Sequence, residues 1–178
     1  IRNMQDPTIF GDPDHIDSPY YFSGSADFGG VHTNSSVPNK VLYLVVNGDT
    51  HYGVEVNPFS EDALLSREIA GNIWFNWNAY YLSEYDAFFI AAAKMLQTAT
   101  DLYPADSSIQ QTVYDAWRSV GVDIFEPYLE LYALTITEEN DGVINPGEDV
   151  GIEITLENVT PNIAENVTGE LSCTELEI

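Results

Sequence analysis

Cysteine is almost missing from this 178-residue chain: Cys173 stands alone, so no disulfide framework can form within it. Basic residues are nearly as scarce, 5 Lys and Arg against 29 Asp and Glu, for a formal net charge of −24. Such a surface repels phosphate backbones and anionic bilayers, which argues against nucleic acid as a partner and against membrane insertion. No run of about 18 apolar residues is present, and no signal peptide is visible. The chain starts at Ile1 and ends at Ile178 inside what reads as a strand, as a piece of a longer protein would. Histidine is scarce too. His15, His32 and His51 stand far apart, and no two share the i,i+4 spacing that puts a pair of metal ligands on one helical turn.

What the chain does have is apolar residues at 44% and aromatics at 12%, a composition that folds despite its charge. Its acids supply oxygen ligands for hard cations such as calcium, and a salt-rich habitat fits them equally. They are unevenly placed. Residues 126–178 hold 13 acids and no Lys or Arg, whereas residues 1–125 hold 16 acids and all 5 bases, which points to a boundary near 122–127 and a linker over 123–130.

Residues 1–35 are broken by Asp6-Pro7, Gly11-Asp12-Pro13-Asp14, Ser18-Pro19 and Gly29-Gly30, and read as an irregular segment with one short helix near its start. The period then turns helical. Pro38 suits a first turn and Gly48 a stop, giving a helix over 37–47. Ile69, Ile73, Trp77 and Tyr80 place a second over 66–82. Ser83-Glu84-Tyr85-Asp86 offers an acidic capping box for a third, carrying Phe88, Ala92, Met95, Ala99 and Leu102, and a fourth opens at Ser107 with Gln110 and stops at Gly121. The apolar stripes, with Met95 and the tryptophans 74, 77 and 117, read as core. After Pro127 the period becomes two: residues 131–136 and 150–157 alternate like strands around the acidic loop 138–149. The fold class is thus mainly α, with a helical domain over 1–122 and the start of an acidic β-sandwich-like module over 131–178.

The blocks GDPDH (11–15), DFGGVHTNSSVPNKVLYL (27–44), GDTHYGV (48–54), ATDLY (99–103) and VGV (120–122) are similar, in order and spacing, to those of the C-terminal helical domain of the thermolysin-family zinc metalloendopeptidases. The departures are a lengthened stretch between the first two blocks, an apparent insertion at 55–65, Asp49 where glycine is commoner, and Phe28 where Asn is usual.

The resemblance implies that His32 donates a hydrogen bond to the oxyanion of the tetrahedral intermediate. It implies further that Asp27 holds the other ring nitrogen, that Arg2 binds the substrate carbonyl on the leaving-group side, and that Ile1 lines the apolar pocket for the residue after the cut bond. Donors fixed where the oxyanion develops are worth ~10² to 10³ in rate. A carboxylate beside an imidazole favours its charged form, and Gly29 and Gly30 allow a sharp turn with room for substrate. The family's zinc needs His-Glu-x-x-His and a downstream Glu, which this chain lacks, so zinc and the general base are expected outside it. Calcium in the intact enzyme, protein or peptide substrates, an N-terminal β-rich catalytic domain in the same chain and secretion are the family's other implications.

Without the resemblance, an Asp and a His near Gly-Gly read as a satisfied turn, and His15 and His51 keep that structural reading. The loop 138–149, with Asn140, Asp141, Asn145 and Glu148, offers calcium ligands without the strict EF-hand pattern and reads first as a solvated turn. Sequons begin at Asn34, Asn158 and Asn166. The competing functional class is an inactive peptidase-like domain kept as a binding or adhesion module, with the acidic tail making the contacts.

Overall fold

The computed structural model describes residues 2–124, 129–137, 150–158 and 167–169. Its contacts divide the chain into two units after Ile124. The first opens with a 3-10 turn, Pro7–Phe10, and continues through the helices α1 (Asp27–Asn34) and α2 (Ser36–Asn47). A two-stranded antiparallel hairpin follows, β1 (Asp49–His51) and β2 (Val54–Val56), and then the helices α3 (Ala63–Asn76), α4 (Phe88–Leu102) and α5 (Ser107–Ser119).

Helix α2 lies at the centre because its apolar residues recur on the side that α3 and α5 cover: Val37, Val41, Leu44 and Val45 have no exposed surface. Burying each such side chain favours folding by about 1.5–3 kcal/mol. Ile73 of α3, Met95 and Ala99 of α4, and Val113, Ala116 and Trp117 of α5 are equally sealed, so most of the predicted stripe positions are core; Tyr80 and Leu102, which close their stripes at the helix ends, are instead 73% and 40% exposed, and Trp74 is only partly buried. Two indoles satisfy their polar atom inside it: Trp77 Nε1 donates to the Ala91 carbonyl at 2.8 Å and Trp117 Nε1 to Met95 Sδ at 3.2 Å.

Helix ends differ from the sequence reading where a competing partner wins. The fourth helix is capped one residue earlier than its Ser107 opening suggests, by Asp106, whose side chain accepts from Ser108 N. Gln110 turns instead to the Tyr103 carbonyl at 2.8 Å. In the capping box predicted at Ser83, Asp86 does accept from Ser83 N at 2.8 Å, but its carboxylate also pairs with Lys94 Nζ at 2.6 Å, and α4 starts only at Phe88. The helix predicted over 66–82 is α-helical only to Asn76. Trp77–Tyr81 forms a π turn closed by Leu82 N on the Trp77 carbonyl at 3.0 Å, where the Trp77 ring is pulled inward.

The irregular first twenty residues are held down by side chains from the helices. Lys40, 5% exposed, donates from Nζ to the Gln5 carbonyl at 2.8 Å. His51 Nε2 meets the Asp14 carbonyl at 3.0 Å, and Ile16 N donates to the Val120 carbonyl at 3.0 Å. Gly121, at φ +89°, leaves the space that His15 fills: a Cβ there would lie 2.6 Å from His15 Cε1.

In the second unit β3 (Leu129–Thr137) pairs antiparallel with β4 (Gly151–Asn158). Simple alternation sets Leu131 on the face of Ala133 and Thr135. A bulge between Leu131 and Ala133 moves it, so that Leu131, Leu134 and Ile136 oppose Leu156, Ile154 and Ile152 on one face.

Candidate active site

The motif that opens α1 folds against ordinary chirality. Asp27, Phe28, Gly29 and Gly30 take φ values of 54°, 50°, 83° and 83°, a turn of left-handed backbone ahead of the right-handed Val31–Asn34. Sequence periodicity is too short here to reveal a helix, and from sequence the segment reads as irregular. Glycine enters the left-handed region freely, but an L side chain costs about 1–2 kcal/mol there, so Asp27 and Phe28 are both strained. Gly30 is required for a second reason: a Cβ would sit 2.8 Å from the Phe22 ring and 2.9 Å from Asn34 Nδ2. Asn34 locks the turn to the preceding segment by accepting from Phe22 N at 2.9 Å and donating to the Phe22 carbonyl at 2.8 Å. Buried and doubly bonded, its amide is not placed to carry a glycan, the first sequon notwithstanding.

The turn brings Asp27 onto His32. One carboxylate oxygen lies 2.5 Å from His32 Nδ1 and the other accepts the His32 backbone N–H at 3.0 Å. An ionised carboxylate only accepts, so Nδ1 carries the proton in this contact and Nε2 is the nitrogen turned to solvent. The His32 side chain is 76% exposed. The hydrogen bond from His32 is the main reason that the Asp27 carboxyl is held below its usual range, with the His32 charge and the backbone at His32 and Thr33 adding to it.

Arg2, thirty residues away in sequence, joins the cluster. Its Nη1 donates to Ser35 Oγ and its Nη2 to the His32 carbonyl, and Ser35 Oγ donates to the same carbonyl at 2.8 Å. A guanidinium has five N–H donors, so three remain after these two bonds. Ser35 is the member that sequence reasoning missed. Its only signal is its place in the polar run Thr33-Asn34-Ser35-Ser36 between the turn and an apolar helix. Arg2, Asp27 and His32 are therefore together, whereas Ile1 and the candidate calcium loop 138–149 lie outside the described residues.

His15 and His51 are enclosed rather than presented. His15 stacks on Tyr52 with ring centroids 4.0 Å apart and accepts Asp17 N–H on Nδ1 at 3.0 Å, and burial lowers the pKa of both histidines. Asp14 Oδ1, beside them, is buried without a hydrogen-bond partner. Among the described residues no group of three or more His, Cys, Asp or Glu side chains is arranged to hold a metal ion, and no helix is long and apolar enough to cross a membrane.

Comparison with known proteins places this cluster in a family. Residues 1–122 match the family described as "Thermolysin metallopeptidase, alpha-helical domain". Bacillolysin of Bacillus cereus is 43% identical over 123 residues, 69% of this chain and 20% of that protein. Bacillolysin of Brevibacillus brevis is 41% identical over 122 residues, 68% of this chain and 22% of that protein. Thermolysin of Alicyclobacillus acidocaldarius subsp. acidocaldarius is 39% identical over 122 residues, 68% of this chain and 21% of that protein. The chain thus spans about a fifth of the length of these relatives. The matched stretch contains the left-handed turn, the Asp27–His32 pair and Arg2, and it ends before the second unit: the chain belongs to the thermolysin metallopeptidase family, whose alpha-helical domain it carries.

Proposed function

We propose that this chain is the C-terminal, substrate-facing part of a secreted zinc-dependent endopeptidase. The observation that carries the reading is the double grip of Asp27 on His32, through Nδ1 at 2.5 Å and the backbone N–H at 3.0 Å, inside a matched peptidase domain. That grip fixes the ring angle and the proton on Nδ1, and in the doubly protonated imidazolium the free Nε2–H donates to an oxyanion as charge develops on it. Arg2, braced on the His32 carbonyl and Ser35, holds the backbone carbonyl on the leaving-group side with its remaining N–H groups. Ile1 lines the pocket for the side chain after the cut bond.

Zinc does not fit the described residues, which offer no donor set for it, so the metal and the general base come from elsewhere in the protein. An N-terminal β-rich domain of the same chain supplies them in this reading, and calcium stabilises the intact enzyme. The substrates are proteins or peptides. Residues 131–178 begin an acidic β-sandwich-like module.

The test is steady-state hydrolysis of an internally quenched peptide by the intact protein. His32→Ala should lower kcat by about 10²- to 10³-fold, with KM nearly unchanged, because the lost bond exists only in the transition state. An unchanged kcat removes the role given to His32. An intact wild type that hydrolyses no peptide favours the alternative of a peptidase-like binding module.

A further inference from the structure

Phe28 joins a left-handed backbone to an exposed aromatic ring. Its backbone sits at φ 50°, a region that bulky L residues avoid, and its side chain is 90% exposed. A lone exposed apolar side chain is ordinary on a protein surface. One held in a strained conformation is not, and such outliers persist where surrounding structure over-determines them, often at functional sites. Here the surroundings do so. Asp27, next in the chain, is tied to His32, and Gly30, two residues on, is pinned against Phe22 and Asn34, so the residue between must follow the left-handed path.

The same turn borders an apolar hollow. Gly29 and Val31 line a cavity of about 300 Å³ with Pro38, Ala87 and Phe88, whose rim also carries the polar Asn34, Ser35 and Asp86. Val31 is itself 54% exposed, and a Cβ added at Gly29 would meet nothing within 4 Å, so the wall of the turn is open. An exposed aromatic ring and part of the wall of that hollow thus belong to the element that carries the imidazole.

We propose that Phe28 is a specificity-determining residue: its exposed ring, held beside Asp27 by the left-handed turn, takes an apolar side chain of the peptide at a position other than the one after the cut bond. The inference rests on the peptidase reading for its substrate. A polar residue at that position of the peptide leaves the ring exposed to water, whereas an aliphatic or aromatic one removes apolar surface from both partners.

The test uses the intact protein and a peptide series in which Leu is exchanged for Ser at each of the two positions before the cleaved bond and at the second position after it. The wild type should prefer Leu at one of these. Phe28→Asn, and independently Phe28→Gly, should reduce that Leu:Ser ratio of kcat/KM by about tenfold. Both variants relieve backbone strain, so the thermal midpoint should not fall, and lost selectivity cannot then be read as lost folding. An unchanged ratio, an equal loss on both members of each peptide pair, or a fallen midpoint overturns the proposal. Titration with blocked Gly-Leu-Gly and Gly-Ser-Gly peptides, read as shifts of the Phe28 ring signals by NMR, separates the two readings. A preference for the Leu peptide in a protein that cleaves nothing sinks the peptidase reading alone. An equal response to both peptides sinks the role of Phe28 alone.

Discussion

Asp27 and His32 lie at the surface, the imidazole 76% exposed, whereas the side chains of His15 and His51 are only 10% and 11% exposed around Asp14. Both places put aspartate beside histidine, in a chain where acids are everywhere. The difference lies in what each ring nitrogen is asked to do. In the enclosed group His15 Nδ1 accepts Asp17 N–H and His51 Nε2 bonds the Asp14 carbonyl, so these nitrogens serve the chain itself. At the surface the chain takes only His32 Nδ1. A pairing of residue types therefore says little until the partner of each atom is known, and a nitrogen turned outward by a fixed neighbour is the part that chemistry can use.

The sharpest way to break this comparison is to exchange the phenotypes. His15→Ala removes a buried acceptor for Asp17 N–H and a ring stacked on Tyr52, and should cost about 1–3 kcal/mol in chemical denaturation, leaving kcat of the intact protein near its starting value. His32→Ala should change stability by less than about 0.5 kcal/mol. Equal stability losses in the two variants would erase the distinction.

A smaller effect tests the grip. Asp27→Asn should lower kcat by about tenfold, in the range seen when a carboxylate that orients a histidine is replaced, since the amide offers one acceptor oxygen for the two His32 N–H groups that the carboxylate holds. A KM effect alone would assign Asp27 to substrate binding instead.

The mildest effect concerns pH. Burial is the largest influence on both His15 and His51 and lowers both pKa values from 6.5. Asp17 and Asp14 oppose it at His15; Asp14 opposes it at His51, where Lys40 reinforces it. The unfolded chain therefore takes up protons first as pH falls below about 6.5, and the stability present at neutral pH declines until the folded-state values are passed, by at most about 1.4 kcal/mol per pH unit for each histidine. Denaturation midpoints between pH 7 and 5 measure the slope, and His15→Asn, which keeps an acceptor but does not titrate, should flatten it. A slope unaffected by that change would place the titrating group elsewhere.

Long apolar stripes were legible in the sequence because they need many residues to state a period: the helix read over 37–47 is Ser36–Asn47, and the one opening at 107 is Ser107–Ser119. Short features were not. The left-handed turn at 27–30 holds too few residues for a period, and Gly-Gly reads as a break whether it ends structure or reverses its hand. The π turn at Trp77 depends on an indole reaching the Ala91 carbonyl, and the bulge at 131–133 on how β3 meets β4, both tertiary facts. At the site, motif order pointed to Asp27, His32 and Arg2. Ser35 stayed hidden because nothing local marks a hydroxyl that accepts from an arginine 33 residues away.

The missing side chain at Gly121 reaches beyond its own turn. With His15 Cε1 and Ile16 Cγ1 each 2.6 Å from where a Cβ would stand, and Ile16 N bonded to the Val120 carbonyl, the opening residues of the domain are stitched to its exit. Joining residues so distant along the chain carries a loop-closure entropy cost, which slows folding. Trimming either end, or permuting the chain by a cut beside this seam, would therefore unfasten the other end as well.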